Sequence, residues 1–354
     1  MIGQVMANSA LNTKIHAMSG QTLHKEDYDA LKRLRSVSEV AAYLKENTRY
    51  AKALQDVIPA IVHRGRLENA LKEQLVSDVE ALLPFLDMNK RVFMDVFELE
   101  EGVEKLKVFL RLLVSGHPEQ FALITEEIPT GHEPISAKEI SKLKTFDAFF
   151  DFISGTPFYR PLSSFKNDPE RQHLFLYEVS LDNYMAELLN RYAKKYLKKE
   201  DQKLAERSVG TITDLDNIKF LLRAKLYFAM TDEEIYAGII PRYYRLKQPT
   251  IAKVVAAPSY AEAVAVLQEE TPYGEAFSLE DRFIEKRIEE YLLKLNRHLF
   301  LTNPYSIQAP LCYIYMRRVE IKNIVSIIEG IRYGLSEDAI AEHLIGYNDG
   351  EAAV

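Results

Sequence analysis

The residue types that most often hold metals or perform acid–base chemistry are scattered along this sequence. No two of its eight histidines are three to five residues apart, so no single helix face offers a pair of imidazole ligands. They are His16, His24, His63, His117, His132, His173, His298 and His343. The acidic pairs Glu233-Glu234 and Glu289-Glu290 are adjacent in sequence and would point to different parts of a helix surface. These patterns predict neither a metal site nor a catalytic carboxylate pair.

Sequence motifs of catalysis and cofactor binding are missing as well. The chain has no Gly-rich phosphate loop, HExxH pair, GxSxG elbow or Rossmann fingerprint. Cys312 is the single cysteine, which excludes an intrachain disulfide and a zinc site with two cysteine ligands. The missing phosphate loop predicts that the chain by itself hydrolyses no nucleotide, and no pattern indicates a cofactor. The alternative is an enzyme whose acidic and histidine side chains converge only in three dimensions.

Charge and hydropathy narrow the classes of partner. The formal net charge of −7 argues against nucleic acid as the main partner, because phosphate binding needs a basic field. No window reaches about 18 uninterrupted apolar residues, so the sequence predicts no direct membrane span. A length of 354 residues is large enough for two or three substructures, each with its own core.

The elements that would position any functional residue are predicted to be helices. Apolar residues recur at helical spacing from Asp281 to Phe300 and again from Ile321 to Ile331. Five hydroxyl residues precede an acid by three positions, which is the spacing of a capping box. The pairs are Ser36 with Glu39, Thr213 with Asp216, Thr231 with Glu234, Ser259 with Glu262 and Ser278 with Asp281. The predicted fold class is all-α.

Four elements recur three times in the same order. A short apolar helix opened by an acid is predicted at 39–44, 147–152 and 262–267, and a Thr-x-aromatic turn follows it at Thr48, Thr156 and Thr271. A long helix is predicted to open at Arg66, Ser180 and Ser278. A closing helix is predicted to start at Lys105, Asn217 and Asn323. Ordered recurrence predicts an internal triplication, with helical units at 1–115, 116–235 and 236–354.

Two segments carry a resemblance to a known family. Residues 313–340, with EIKNI at 320–324, resemble the C-terminal pattern of the central-stalk component of V-type and A-type rotary ATPases, which is called the C subunit in prokaryotes and the d subunit in eukaryotes. DLDNIKFLLRAKLYF from Asp214 is similar to the family's second copy of this pattern. The resemblance implies a non-catalytic rotor subunit: a funnel of three similar helical parts about a pseudo-threefold axis, on the cytoplasmic face of a membrane.

The same resemblance implies the partners. The narrow side would receive the central axle, formed by the D and F subunits, and the broad side would sit on the membrane ring of ion-carrying proteolipid subunits. Such a part would transmit torque for ATP-driven transport of sodium ions or protons. The alternative is a helical scaffold or adaptor protein without a rotary role.

Candidate partner contacts are the positions that stay polar where the three copies otherwise agree. They are Lys105, Asn217 and Asn323, with Arg111, Arg223 and Glu329 six residues further on. Because one exposed ion pair contributes about 0.2 to 1 kcal/mol, grip on a partner would need several such contacts.

Overall fold

The computed structural model describes residues 2–166, 174–227, 230–277 and 283–347, with side chains of the first helix from residue 9 and without the side chain of residue 227. The chain divides into two compact units. Unit 1 combines both chain ends, Met1–Met88 and Glu285–Val354, and unit 2 is Asn89–Ile284. The three units predicted at 1–115, 116–235 and 236–354 stay a prediction.

The described residues form eighteen α-helices. The first nine are α1 (Ile2–Ser19), α2 (Lys25–Lys32), α3 (Val37–Asn47), α4 (Arg64–Leu82), α5 (Met88–Met94), α6 (Val96–Val114), α7 (Phe121–Ile124), α8 (Ala137–Ile140) and α9 (Phe146–Phe152). The others are α10 (Tyr159–Leu162), α11 (Leu174–Tyr196), α12 (Lys199–Tyr227), α13 (Asp232–Gly238), α14 (Gln248–Ala256), α15 (Tyr260–Glu270), α16 (Ile284–Thr302), α17 (Gln308–Arg332) and α18 (Glu337–His343).

Short elements connect these helices. Single turns of 3-10 helix lie at Arg49–Ala51, Pro59–Ile61, Leu83–Phe85, Pro118–Gln120, Ser163–Phe165 and Gly274–Ala276. One antiparallel pair of two-residue strands, β1 (Glu127–Ile128) and β2 (Ile135–Ser136), lies between α7 and α8. The predicted all-α class is confirmed, and within the part of the chain described no helix is long and apolar enough to cross a membrane.

Three of the predicted helix caps are confirmed. The side chains of Ser36, Thr231 and Ser259 each accept a hydrogen bond from the backbone amide three residues on, at the start of α3, α13 and α15. These side chains satisfy amides that have no partner within the helix. The three predicted short helices are also present, as α3, α9 and α15.

Other predicted helix starts are wrong. Thr213 lies inside α12, where its hydroxyl donates to the Val209 carbonyl at 2.9 Å instead of capping a new helix. Ser180 lies inside α11 and donates to the Pro161 carbonyl at 2.6 Å. A hydroxyl can cap a helix or bond to the preceding turn, so sequence spacing alone does not decide between them. The predicted cap at Ser278 lies outside the described residues.

The closing helices begin earlier than predicted. Lys105, Asn217 and Asn323 lie within α6, α12 and α17 respectively, and none of them starts its helix. Each of these helices begins at least nine residues before the predicted start. The three residues therefore lie in the middle of their helices.

The core of unit 1 joins the two ends of the chain. Val40 and Leu44 of α3 and Leu71 of α4 are fully buried in one cluster with Ile324 and Ile327 of α17. In unit 2, α6 and α11 pack around aromatic side chains of α9, and α12 contacts α14 and α15. In unit 1, α17 is thus packed against α3 and α4 from the other end of the chain.

Candidate functional site

A buried arginine lies at the centre of a polar cluster in unit 1. Arg317 of α17 is 0% exposed, so its charge depends on partners within the protein. Its guanidinium donates to Glu320 and, through Nη2, to the Tyr50 hydroxyl at 2.9 Å. Its Nε lies 3.3 Å from Asp78 Oδ2. The Tyr50 hydroxyl donates in turn to Glu320 Oε1 at 2.8 Å, which closes a ring of charge-assisted hydrogen bonds.

Asp78 of α4 extends this cluster to a third element. Its carboxylate accepts from Arg49, and its Oδ2 accepts from the Tyr313 hydroxyl at 2.8 Å. Arg49 also donates to the Tyr313 hydroxyl at 2.9 Å. The cluster therefore ties α4 and α17 to the turn that follows α3.

The pKa shifts in this cluster keep its hydrogen-bond donors protonated, which suits a structural role. Burial, together with the nearby charge of Glu320, raises the pKa of Tyr50 far above its usual value, and burial likewise raises the pKa of Tyr313. Burial alone would lower the pKa of Arg317, but the charge of Glu320 leads the effects that raise it. Both hydroxyls stay protonated donors and the arginine stays charged near neutral pH.

A similar set of buried hydrogen bonds lies in unit 2, on α12. Asp214 is 0% exposed and accepts from the backbone amides of Tyr244, Arg245 and Leu246 at 2.9, 2.6 and 2.8 Å. The Tyr273 hydroxyl donates to the same carboxylate at 2.8 Å. Asp214 and Tyr273 thus repeat the contact that Glu320 makes with Tyr50.

Two asparagines hold backbone segments in the same way. Asn323 Nδ2 donates to the Ile345 carbonyl at 3.0 Å, and its Oδ1 accepts from the Ile345 amide at 2.8 Å. Asn217 makes the same two bonds to Ile240, again at 3.0 and 2.8 Å. In both helices the asparagine follows the acid by three residues, so we call each acid-x-x-Asn set a helix joint.

The matching positions of α6 carry neither the acid nor the asparagine. Gly102 stands where the acid would be, and Lys105 where the asparagine would be. A Cβ on Gly102 would lie 2.0 Å from the Pro129 carbonyl oxygen and 2.8 Å from Phe158 Cζ. The turn here carries phenylalanine in place of tyrosine, so close packing replaces the hydrogen bonds of the two joints.

The structure places the predicted partner contacts in different environments. Asn217 and Asn323 are buried, and their amides are engaged within the helix joints. Arg111 has a side chain 54% exposed, and its Nε lies 2.7 Å from Glu178 Oε1 of α11. Glu329 lies 2.6 Å from Arg64 Nε through its Oε1.

The remaining two predicted contacts lie on α6 and α12. Lys105 Nζ is 3.6 Å from Glu101 Oε1, on the same helix, and Arg223 is exposed on α12. Contact of the six residues with a partner chain stays a prediction.

The described residues hold no group of three histidine, cysteine or acidic side chains placed to bind a metal ion. Cys312 is buried in α17, and burial raises the pKa of its thiol to about 12. Since the thiolate is the reactive form, this cysteine is chemically inert at neutral pH.

Sequence reasoning missed the polar residues that build the joints. Asp78, Asp214, Arg317 and Glu320 were not among the predicted site residues. A signal was present, because an acid precedes Asn217 and Asn323 by three residues in both copies, and a tyrosine follows Thr48 and Thr271 by two. In the remaining copy, Gly102 replaces the acid and Phe158 replaces the tyrosine.

Comparison with known protein families gives a match over most of the chain. The chain belongs to the ATP synthase (C/AC39) subunit family, whose model matches residues 11–343.

Several relatives are similar over nearly their full length. The C subunit of the A-type ATP synthase from Methanocaldococcus jannaschii is 24% identical over 353 residues, covering 95% of this chain and 85% of the relative. Proteins with the same name from Pyrococcus horikoshii and Thermococcus gammatolerans are 25% and 27% identical. These alignments cover 95% and 94% of this chain, and 89% and 88% of the relatives.

Proposed function

We propose that this chain is the non-catalytic central-stalk C subunit of an A-type or V-type rotary ATPase. The observation that carries the proposal is the family match over residues 11–343, together with relatives named as the C subunit of A-type ATP synthases. In this role the chain links the central axle, formed by the D and F subunits, to the membrane ring of proteolipid subunits on the cytoplasmic side. It transmits torque for the transport of sodium ions or protons.

The helix joints support a mechanical role. A part that transmits torque must keep its shape when one side is pushed, and buried charge-assisted hydrogen bonds resist separation of the elements they join. In unit 1, Glu320 and Asn323 tie one helix to the N-terminal turn at Tyr50 and to Ile345 near the C-terminal end. Removing one partner of such a buried pair leaves an uncompensated charge, so the elements are costly to separate.

We propose that the exposed polar residues of α6 and α12 contribute to the axle contact. Arg111 and Arg223 occupy matching places, six residues after Lys105 and Asn217. Lys105 and Glu329 are further candidates for this contact. Asn217 and Asn323 would act indirectly, by holding the backbone segments beside their helices.

Isolation of the tagged full chain from native membranes tests the proposal. The rotor role predicts co-isolation with ATPase head subunits, axle subunits and ring subunits. In a complex assembled without the chain, we expect ATP hydrolysis by the head to continue while ATP-driven ion transport is lost.

Two other outcomes would contradict the rotor role. Co-isolation with soluble partners alone would favour an adaptor, for which the same helical surfaces would serve as binding sites. Turnover of a substrate by the isolated chain, with ATPase head subunits shown to be absent, would favour an enzyme.

A further inference from the structure

Unit 1 contains a cavity of about 250 Å³ that the proposed stalk role does not use. Its walls are the segment 19–28, side chains of α16 and α17, and the three residues Ile345–Tyr347, which we call the C-terminal strap. A volume of this order is slightly below the usual range of ligand pockets, about 300 to 1,000 Å³. Such a cavity suits a compact small molecule.

The walls are fixed by the protein itself. The Asn323 joint holds both backbone groups of Ile345, at the start of the C-terminal strap. Gly346 follows with φ +68°, and a Cβ there would lie 2.6 Å from Leu293 Cδ2. The Tyr347 hydroxyl donates to Asp29 and accepts from Lys32 Nζ at 2.7 Å. The strap is therefore held in place without a ligand.

One cationic side chain in the cavity wall has no partner among the described residues. Arg297 is partly buried, and no ion pair or hydrogen bond joins its guanidinium to any residue that the structure describes. An anion that pairs with this guanidinium would therefore displace no described side chain.

The charges around the cavity favour an anion. Lys25 and Arg297 both line the cavity. The carboxylate of Glu320 also lines it, but its oxygens already accept from Leu23 N, Tyr50 and Arg317. Glu26 is the opposing charge, and it is exposed at the wall.

Most of the remaining lining is apolar or aromatic, with Thr22, His24 and Asn323 as further polar residues. Tyr28, Tyr313, Met316 and Val319 cover the side of the cavity formed by α2 and α17. A purely inorganic anion would leave this surface without contacts, whereas a small ring or short alkyl group would bury apolar area against it.

We propose that the cavity binds a small organic anion, a carboxylate or a phosphate ester with a compact apolar body. The charged end pairs with Arg297, and the apolar body packs on Tyr28 and Met316. All residues of this site belong to unit 1.

Titration of the purified full chain with phenyl phosphate and with benzoate tests the proposal. Calorimetry at low ionic strength should show saturable binding of one or both, and the preferred probe distinguishes a phosphate ester from a carboxylate. Benzyl alcohol, which has a similar body without the charge, should bind at least about tenfold more weakly, as expected for loss of a charge-assisted hydrogen bond.

Two variants locate the binding in this cavity. Arg297→Gln should weaken it by about tenfold or more, since a charge-assisted hydrogen bond is lost. This change removes no ion pair or hydrogen bond to a described residue, so folding should be kept. Glu26→Gln should tighten binding by roughly twofold, because it removes the opposing charge.

Arg33→Gln is the matched control, because Arg33 is a 70% exposed arginine of the same unit outside the cavity. It should leave binding unchanged. No saturation of either probe below about 10 mM would overturn the proposal, and so would equal binding by the wild type and Arg297→Gln.

Discussion

At the scale of single residues, this protein concentrates its buried polar groups in a few multiply bonded side chains. Asp214 accepts four hydrogen bonds, three from backbone amides and one from Tyr273. Asn323 satisfies both backbone groups of Ile345. Because a buried polar group without a partner is costly, each such side chain fixes the position of the segment it bonds to.

The asparagines give a ranked stability prediction. Asn323→Ala leaves the amide and carbonyl of Ile345 without partners, and we expect a loss of about 2 to 3 kcal/mol in the free energy of unfolding. Asn217→Ala should cost less, about 1 to 2 kcal/mol, because the bonds to Ile240 are only partly buried. Urea unfolding followed by circular dichroism measures both changes.

Asn47→Ala is the control for this series. Its amide donates to the Tyr43 carbonyl at an exposed position, so the change should stay within about 0.5 kcal/mol of the parent. Equal effects of Asn323→Ala and Asn47→Ala would mean that the joint contributes nothing beyond an ordinary surface hydrogen bond.

At the scale of elements, the recurring contact joins a helix to an aromatic turn. The turn hydroxyls of Thr48 and Thr271 each donate to the carbonyl four residues earlier, at 2.6 Å. The tyrosine two residues further on then reaches the acid of the helix. On α6 the glycine allows the Pro129 backbone and Phe158 to approach the helix directly.

Gly102→Ala tests this close approach. Helix propensity alone predicts a gain of about 1 kcal/mol, since alanine is favoured over glycine inside a helix. The added Cβ would instead lie 2.0 Å from the Pro129 carbonyl oxygen, which forces the backbone apart. We therefore expect a loss of about 1 to 3 kcal/mol in the free energy of unfolding, as in other overpacked sites.

Gly155→Ala provides the comparison, because a Cβ there meets nothing within 4 Å. Its free energy of unfolding should be close to that of the parent, as should its thermal midpoint. A stabilised Gly102→Ala variant would show that α6 has room at this position and that the contact is looser than the geometry indicates.

At the scale of the whole molecule, the two ends of the chain share unit 1, whereas unit 2 is continuous in sequence. The joint of unit 2 pairs α12 with a turn that follows it, at Tyr273. The joint on α17 instead reaches Tyr50, 270 residues earlier. In unit 1 both chain ends thus take part in one set of contacts.

Charge reversal on α6 and α12 tests the proposed axle contact. Arg111→Glu or Arg223→Glu alone should weaken axle binding slightly, since each exposed contact is worth about 1 kcal/mol or less. The double variant should weaken it more and reduce ATP-driven ion transport while ATP hydrolysis is unchanged. Axle binding and both activities are measured on the reconstituted complex.

Glu178→Gln separates partner contact from internal pairing, because it removes the negative charge from the Arg111–Glu178 pair and leaves the arginine in place. It should bind the axle like the parent. If the double variant also binds and pumps like the parent with its helical content intact, the axle surface must be sought in the turns at Thr48, Thr156 and Thr271.

The sequence by itself determined the helical class, three of the caps and the family. Apolar periodicity and caps at Ser36, Thr231 and Ser259 depend on neighbours within one or two turns, so they can be read locally. The ordered segments around Asp214 and Glu320 carried the family resemblance. The tertiary structure decided what those acids do, because Glu320 and Tyr50 meet only after packing of distant segments. It also decided that Thr213 lies inside α12, since packing along the whole helix determines whether a hydroxyl caps or bonds backwards.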